Sequence, residues 1–262
     1  MKLSLVVNMD NRPQNHTFTG SNLGGCVDED FLVDGLINKI KFFEGFEKEV
    51  IVHLDRHTNL PRGTFEKLQE LCDTLLIRRH THENSFNDWN YIRALSMASG
   101  DVIIHVDQDT AMFSKEDLGA KHLTLLLNEV KCDFVSYPSH WSPLPVHDLS
   151  FDHTWVSTRF FACKRENLDL PEITKCLNDY EYWLKTYPVK RACHWLEHLI
   201  GSIAKYRKQT IYYPSINLDN YAIFSWGSYQ TGTLGMLNNM PYEEVKKWIE
   251  ARGIHYPVDV HV

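Results

Sequence analysis

Over its first 130 residues the chain alternates short, continuously apolar runs with segments whose apolar residues recur at helical spacing. Leu3–Val7, Glu49–Leu54, Leu75–Ile77 and Val102–Val106 are the short runs. Asp28–Phe43, Thr64–Leu71 and Phe86–Ala98 lie between them, and Lys115–Val130 follows the last. In Asp28–Phe43 the residues Leu32, Val33, Leu36, Ile37, Ile40 and Phe43 share one side of a helix behind an acidic first turn. Gly100 stops the helix Phe86–Ala98. Runs apolar throughout are strands covered on both faces. Strands separated by helices of this length imply βαβ units, a mostly parallel sheet and right-handed crossovers. No internal repeat or low-complexity linker interrupts the 262 residues, which predicts one α/β domain over residues 1–262.

After about residue 135 the rhythm changes. Tyr137–Trp155 is rich in Pro, Ser, His and Trp without periodicity, and loops of that length in a compact domain are usually functional. A strand is expected over Ser157–Cys163, helices near Asn178–Thr186 and His194–Tyr206, and a strand over Thr210–Tyr213. An irregular aromatic stretch and a last helix, Tyr242–Arg252, complete the chain. Residues 136–262 read as the acceptor-facing part and residues 1–135 as the ligand-anchoring part.

Composition narrows the function classes. A net charge of −7 and a pI near 6.0 argue against a nucleic-acid partner, because phosphate-backbone affinity needs clustered Lys and Arg. An acidic protein can still hold an anionic ligand where a metal ion supplies the local positive charge. No stretch approaches the roughly 18 apolar residues of a membrane span. Cysteines 26, 72, 132, 163, 176 and 193 are scattered with no Cys-x-x-Cys pair. They read as reduced thiols of a cytoplasmic protein, or of one peripheral to a membrane.

In an open α/β sheet, ligands bind outside the carboxyl ends of the strands. Three strand ends carry polar clusters here: Asn8, Asp10 and Arg12 after the first, Asp55 after the second, and Asp107-Gln108-Asp109 after the fourth. Asp is also a common turn residue, so the weight rests on the three together. Asp107 and Asp109, two apart in an extended segment, direct both carboxylates to one side. A hard divalent cation relieves their repulsion and bridges to phosphate oxygens.

A first strand running into Asn-x-Asp-x-Arg, a second ending in Asp, then helix–Gly–Asp–apolar strand–Asp-x-Asp resembles glycosyltransferase family 2 on the GT-A fold. The match runs in order and spacing over roughly residues 3–130, and more loosely to about 206. The resemblance implies a nucleotide-sugar donor, UDP- or dTDP-linked, and a glycan or other hydroxyl acceptor, with inversion at the transferred sugar. It implies that Asn8, Asp10 and Arg12 line the uridine side, that Asp55 hydrogen-bonds the base, and that Asp107 and Asp109 bind Mn²⁺ or Mg²⁺ on the donor diphosphate. Where the family often carries Ala-Arg-Asn in the preceding helix, this chain has Asn90-Tyr91-Ile92. Asn87, Asn90 and Arg93 are then the nearest substitutes for donor contacts, or else a solvated helix face.

Family members carry an acidic residue, often Glu-Asp, at the start of a later helix as catalytic base; this chain has Glu197-His198, which places that role on Glu197. Asp152, Asp179 and Glu181 are the competing acids. His194, Glu197 and His198 also spell an inverted zincin motif, which would make the chain a zinc hydrolase but leaves the N-terminal half unexplained. Exposed aromatics among Trp141, Trp155, Trp195, Tyr221, Phe224, Trp226 and Tyr229 are candidate sugar platforms. A nucleotidyltransferase is the alternative within the fold. It wants a Gly-rich, Lys-bearing phosphate loop after strand one, and Asn8–Pro13 has neither residue.

Overall fold

The computed structural model describes residues 1–10, 29–56, 60–79, 88–107, 110–114, 127–128, 132–136, 156–158, 160–187, 196–212 and 221–225. The first half runs β1 (Leu3–Asp10), α1 (Glu29–Phe42), β2 (Lys48–Arg56), α2 (Arg62–Leu71), β3 (Thr74–Arg79), α3 (Asp88–Ser96) and β4 (Val102–Asp107). The rest comprises β5 (Thr110–Ser114), β6 (Phe134–Ser136), β7 (Phe160–Lys164), α4 (Leu170–Asn178), α5 (Tyr180–Thr186), α6 (Leu196–Tyr206), β8 (Ile211–Tyr212) and β9 (Tyr221–Ser225). The α/β class holds: seven strands form one sheet in the order β3-β2-β1-β4-β7-β6-β8. Neighbours are parallel from β3 to β4, and β7 enters antiparallel between β4 and β6. β6 and β8 are parallel, and β5 pairs with β9 in a separate two-stranded sheet.

Alternation along the strands divides two apolar layers. Leu5 and Val7 of β1, Val52 and Leu54 of β2, and Ile104 and Val106 of β4 join Leu32 and Leu36 of α1 and Leu68 of α2. Val6, Ile51, Ile103 and Phe161 of β7 face the other way, onto Tyr91 and Leu95 of α3 and Leu199 and Ile203 of α6. The strands are apolar on both faces because helices cover both. Removing such a side chain to Ala costs about 2–5 kcal/mol. No described helix is long and apolar enough to cross a membrane.

Several elements differ from the expectation. The first, second and fourth strands extend further, so Asn8 and Asp10 lie within β1, Asp55 within β2, and Asp107 closes β4. A late strand begins at Phe160 rather than Ser157, because the preceding backbone is diverted into side-chain bonds: Ser157 N donates to Ser136 Oγ at 2.9 Å and Thr158 N to Glu197 Oε1 at 3.4 Å. The helix expected near Asn178–Thr186 is α5, and α4 before it was not expected. Asp169 caps α4 by accepting from Glu172 N at 3.1 Å, and Asp179, in an extended conformation, ends it and caps α5 by accepting from Tyr182 N at 2.8 Å. The stretch read as irregular contains β9, the partner of β5. Of Lys115–Val130 only Leu127 and Asn128 are described, as helix; Tyr137–Trp155 and Tyr242–Arg252 lie outside the described residues.

Candidate functional site

The chain proceeds outward from β1 to β2 and β3, then returns to place β4 on the other side of β1. That reversal puts a topological switch point between the carboxyl ends of β1 and β4, where open α/β sheets bind ligands. In the ladder Asn8 stands opposite His53 on one side and Asp107 on the other, and Asp10 stands opposite Asp55. On the face of the sheet that α3 covers, apolar packing thus gives way towards the carboxyl edge to polar residues. His53 and His105 are buried, and Asp55 and Asp107 are half-buried at the rim.

His105 lies beneath this edge. Its ring stacks on Phe161 at 5.1 Å and 13°, and Tyr91 closes on its other side at 5.1 Å. Asn8 Nδ2 lies 2.5 Å from His105 Nε2; an amide nitrogen donates, so this ring nitrogen accepts. Burial holds the His105 pKa down to about 3, the backbone of Thr158 opposing more weakly. Imidazole here is therefore a neutral floor that fixes Asn8. His53 Nδ1 is 4.0 Å from Asp55 Oδ1, and the Tyr91 hydroxyl donates to Asp107 Oδ1 at 3.3 Å. Sequence reasoning missed Tyr91, His53 and His105 because each sits in a stretch that reads as core. The available signal was a polar residue two positions before Asp55 and before Asp107, which alternation puts on the same face.

Glu197 stands in the first turn of α6. Its Oε1 accepts from Thr158 Oγ1 at 2.7 Å, and its carbonyl accepts from Val156 N at 3.3 Å. Phe160 pairs antiparallel with Val106, so residues 156–158 run past the carboxyl end of β4. Thr158 thus ties Glu197 to the edge that carries Asp107, on the β7 side. The competing acids differ. Asp179 caps α5, and Glu181 pairs with Lys185 one turn on, both side chains being largely exposed. Asp152 lies outside the described residues, as do Arg12, Asn87, Asp109 and His194. Asp10 and Asn90 are placed in β1 and α3, with their side chains outside the described set. Arg93 is exposed, turned away from the α3 face that buries Tyr91 and Leu95.

Among the described residues no group of three or more His, Cys, Asp and Glu side chains gathers as a metal cage. Mg²⁺ is bound through one or two carboxylates and completed by water and substrate phosphate. A half-buried Asp107 at a strand end, with the Tyr91 hydroxyl donating to it, fits that open use.

No family model and no curated protein matches the sequence. Similar solved structures include a mannosyltransferase from Pyrobaculum calidifontis in complex with GDP-Man and Mn²⁺, 15 % identical, with a TM-score of 0.46 over 81 % of this chain and 54 % of that one. Mouse xyloside xylosyltransferase 1 is 9 % identical with a TM-score of 0.47, over 97 % of this chain and 94 % of that one. A cytidylyltransferase from Leptospira borgpetersenii is 14 % identical with a TM-score of 0.40, over 82 % and 77 %. The chain spans about half the length of the mannosyltransferase.

Proposed function

We propose that this chain is a metal-dependent glycosyltransferase of the GT-A type, which moves a sugar from a UDP- or dTDP-sugar to a hydroxyl of a glycan acceptor, with inversion. The observation that carries the reading is the convergence of Asp55, Asp10 and Asp107 on neighbouring parallel strands at the switch point. Glu197 is tied to the same edge from the antiparallel side.

In this reading residues 1–135 bind the donor and residues 136–262 the acceptor. Asn8, Asp10 and Arg12 line the nucleoside, and Asn87 and Asn90 contact the donor from the α3 side. Asp55, half-buried at the rim, accepts from uracil N3–H, since a carboxylate only accepts. Asp107 and Asp109 would hold Mn²⁺ or Mg²⁺, which would supply positive charge to offset that of the leaving diphosphate. An inverting transfer is one in-line displacement, so the base stands opposite the leaving group. Glu197 takes the acceptor proton there, kept in place by the Thr158 hydroxyl.

The test is thermal stabilisation by nucleoside diphosphates with and without Mn²⁺, followed by product analysis with the matching sugar donors. UDP with Mn²⁺ should stabilise more than GDP with Mn²⁺. Equal stabilisation by the two would remove the base-reading role of Asp55. Retained anomeric configuration in the product would reject inversion, and hydrolysis or nucleotidyl transfer in place of glycosyl transfer would reject the function.

A further inference from the structure

β4 ends at Asp107 and β5 begins at Thr110, so Gln108 and Asp109 alone connect them. Consecutive Cα atoms are about 3.8 Å apart, so the Thr110 Cα can lie no more than about 11 Å from that of Asp107. The β4 end is fixed by the main sheet. β5 lies outside that sheet and pairs antiparallel with β9, Thr110 opposite Ser225 through Ser114 opposite Tyr221.

A second anchor reaches β5 from α1. Asn38 is fully buried, and its Nδ2 donates to the Met112 carbonyl at 2.9 Å while its Oδ1 accepts from Met112 N at 2.9 Å. Met112 is itself buried among the residues of the α1–α2 layer. The Asn38 amide thus imitates a neighbouring strand, serving both backbone groups of one residue. Turning it over would set nitrogen against N–H and oxygen against carbonyl, so the pair of bonds fixes its orientation. Asp at this position lacks the donor, and Leu, of similar size, lacks both groups. A buried Asn is a poor choice for helix propensity and for an apolar layer, which marks the clip as a specific device.

We infer that Asn38 is a positioning residue for the candidate metal site: by holding Met112 it fixes β5, whose first residue, Thr110, follows Asp107 of β4 by three positions. The inference rests on the donor-site reading above, and its test carries an arm independent of that reading. Asn38→Leu is compared with Leu68→Ala, a core truncation in α2 that supplies a stability control. Each is measured for thermal stability, for UDP affinity with Mn²⁺, and for amide exchange over residues 107–114. Second-shell changes typically cost about 10–100-fold in metal affinity or activity. Asn38→Leu should lose UDP·Mn²⁺ affinity by that order and lose protection at Met112 and its neighbours. Leu68→Ala should keep both while falling in melting temperature.

Wild-type affinity in Asn38→Leu, or an equal loss in Leu68→Ala, overturns the inference. Should the wild type bind no UDP·Mn²⁺, the donor reading fails by itself. Exchange then decides: unchanged protection over residues 107–114 in Asn38→Leu overturns the clip, and loss confined to that segment supports it.

Discussion

Glu197 and Thr158 meet through a 2.7 Å hydrogen bond that a glutamine would keep, since its side-chain oxygen accepts as the carboxylate does. Glu197→Gln therefore removes the proton acceptor and leaves the local geometry in place. General-base assistance is worth about 10²–10⁴-fold, so turnover should fall by that order while UDP affinity with Mn²⁺ stays at the wild-type level. Single-turnover kinetics with direct nucleotide titration separate the two effects; near-normal turnover would move the base elsewhere. Amide substitutions at Asp179 and Glu181 provide the contrast. Asp179→Asn keeps a cap for α5, and Glu181→Gln removes an exposed pairing with Lys185, so neither should change turnover by such a factor. A base among those two would reverse the pattern.

At the scale of elements, β1 and β2 are latched to the start of β4 at the edge opposite the site. Glu49 accepts from Ser4 Oγ at 2.5 Å, Ser99 N at 2.6 Å, Ser99 Oγ at 2.7 Å and Lys2 Nζ at 3.0 Å. Burial raises its pKa, but the bonds from Ser4, Ser99 and Lys2 outweigh that and bring it from 4.5 to about 2. A depressed carboxylate pKa contributes stability above its unfolded value and loses it as pH falls through the folded one. Wild type should therefore lose stability between pH 4.5 and about 2 that Glu49→Gln does not have to lose, and urea midpoints for both across that window check it. A parallel decline in the two would remove Glu49 as the cause. Gly100 closes the same latch: a Cβ there would stand 2.7 Å from Ser4 Oγ and 2.8 Å from the Leu3 carbonyl carbon and the Lys2 oxygen. Two of those atoms are backbone and cannot swing aside, so Gly100→Ala should destabilise by about 1–3 kcal/mol with donor affinity kept; an unchanged unfolding midpoint would contradict the close approach. Much of this architecture was legible in the sequence. Val102–Val106, flanked by Gly100 and Asp107, could only be a covered strand, and Leu32, Val33 and Leu36 declared the buried face of α1. Less visible were β5 and β9, because five-residue strands pairing across more than 100 residues leave no local period. Helix α4 was missed although Asp169-Leu170-Pro171-Glu172 carries a helix-start signal, an N-cap with Pro and Glu in the first turn. His105 lies in a run that reads as core and Asn38 carries no signal of its own, and what distinguishes them is the partner that folding brings, Asn8 in one case and the Met112 backbone in the other.

For the whole molecule, the central claim is that the switch point between β1 and β4 holds a nucleoside diphosphate through a metal bound by Asp107 and Asp109. The sheet makes this claim specific, since the order β3-β2-β1-β4 puts Asn8 directly between His53 and Asp107, and a ligand seated there meets residues from three strands. It also separates binding from folding: Asp107 lies half-buried at a rim, and on this claim removing the Asp109 charge relieves repulsion between like carboxylates. Calorimetric titration of UDP into wild type and Asp109→Asn, each with Mn²⁺ and with the metal chelated, tests the claim most directly. The account predicts tight binding by the wild type with Mn²⁺ alone, loss of the Mn²⁺-dependent part in Asp109→Asn, and an unchanged melting temperature in that variant. Mn²⁺-dependent UDP binding that survives intact in Asp109→Asn would contradict it.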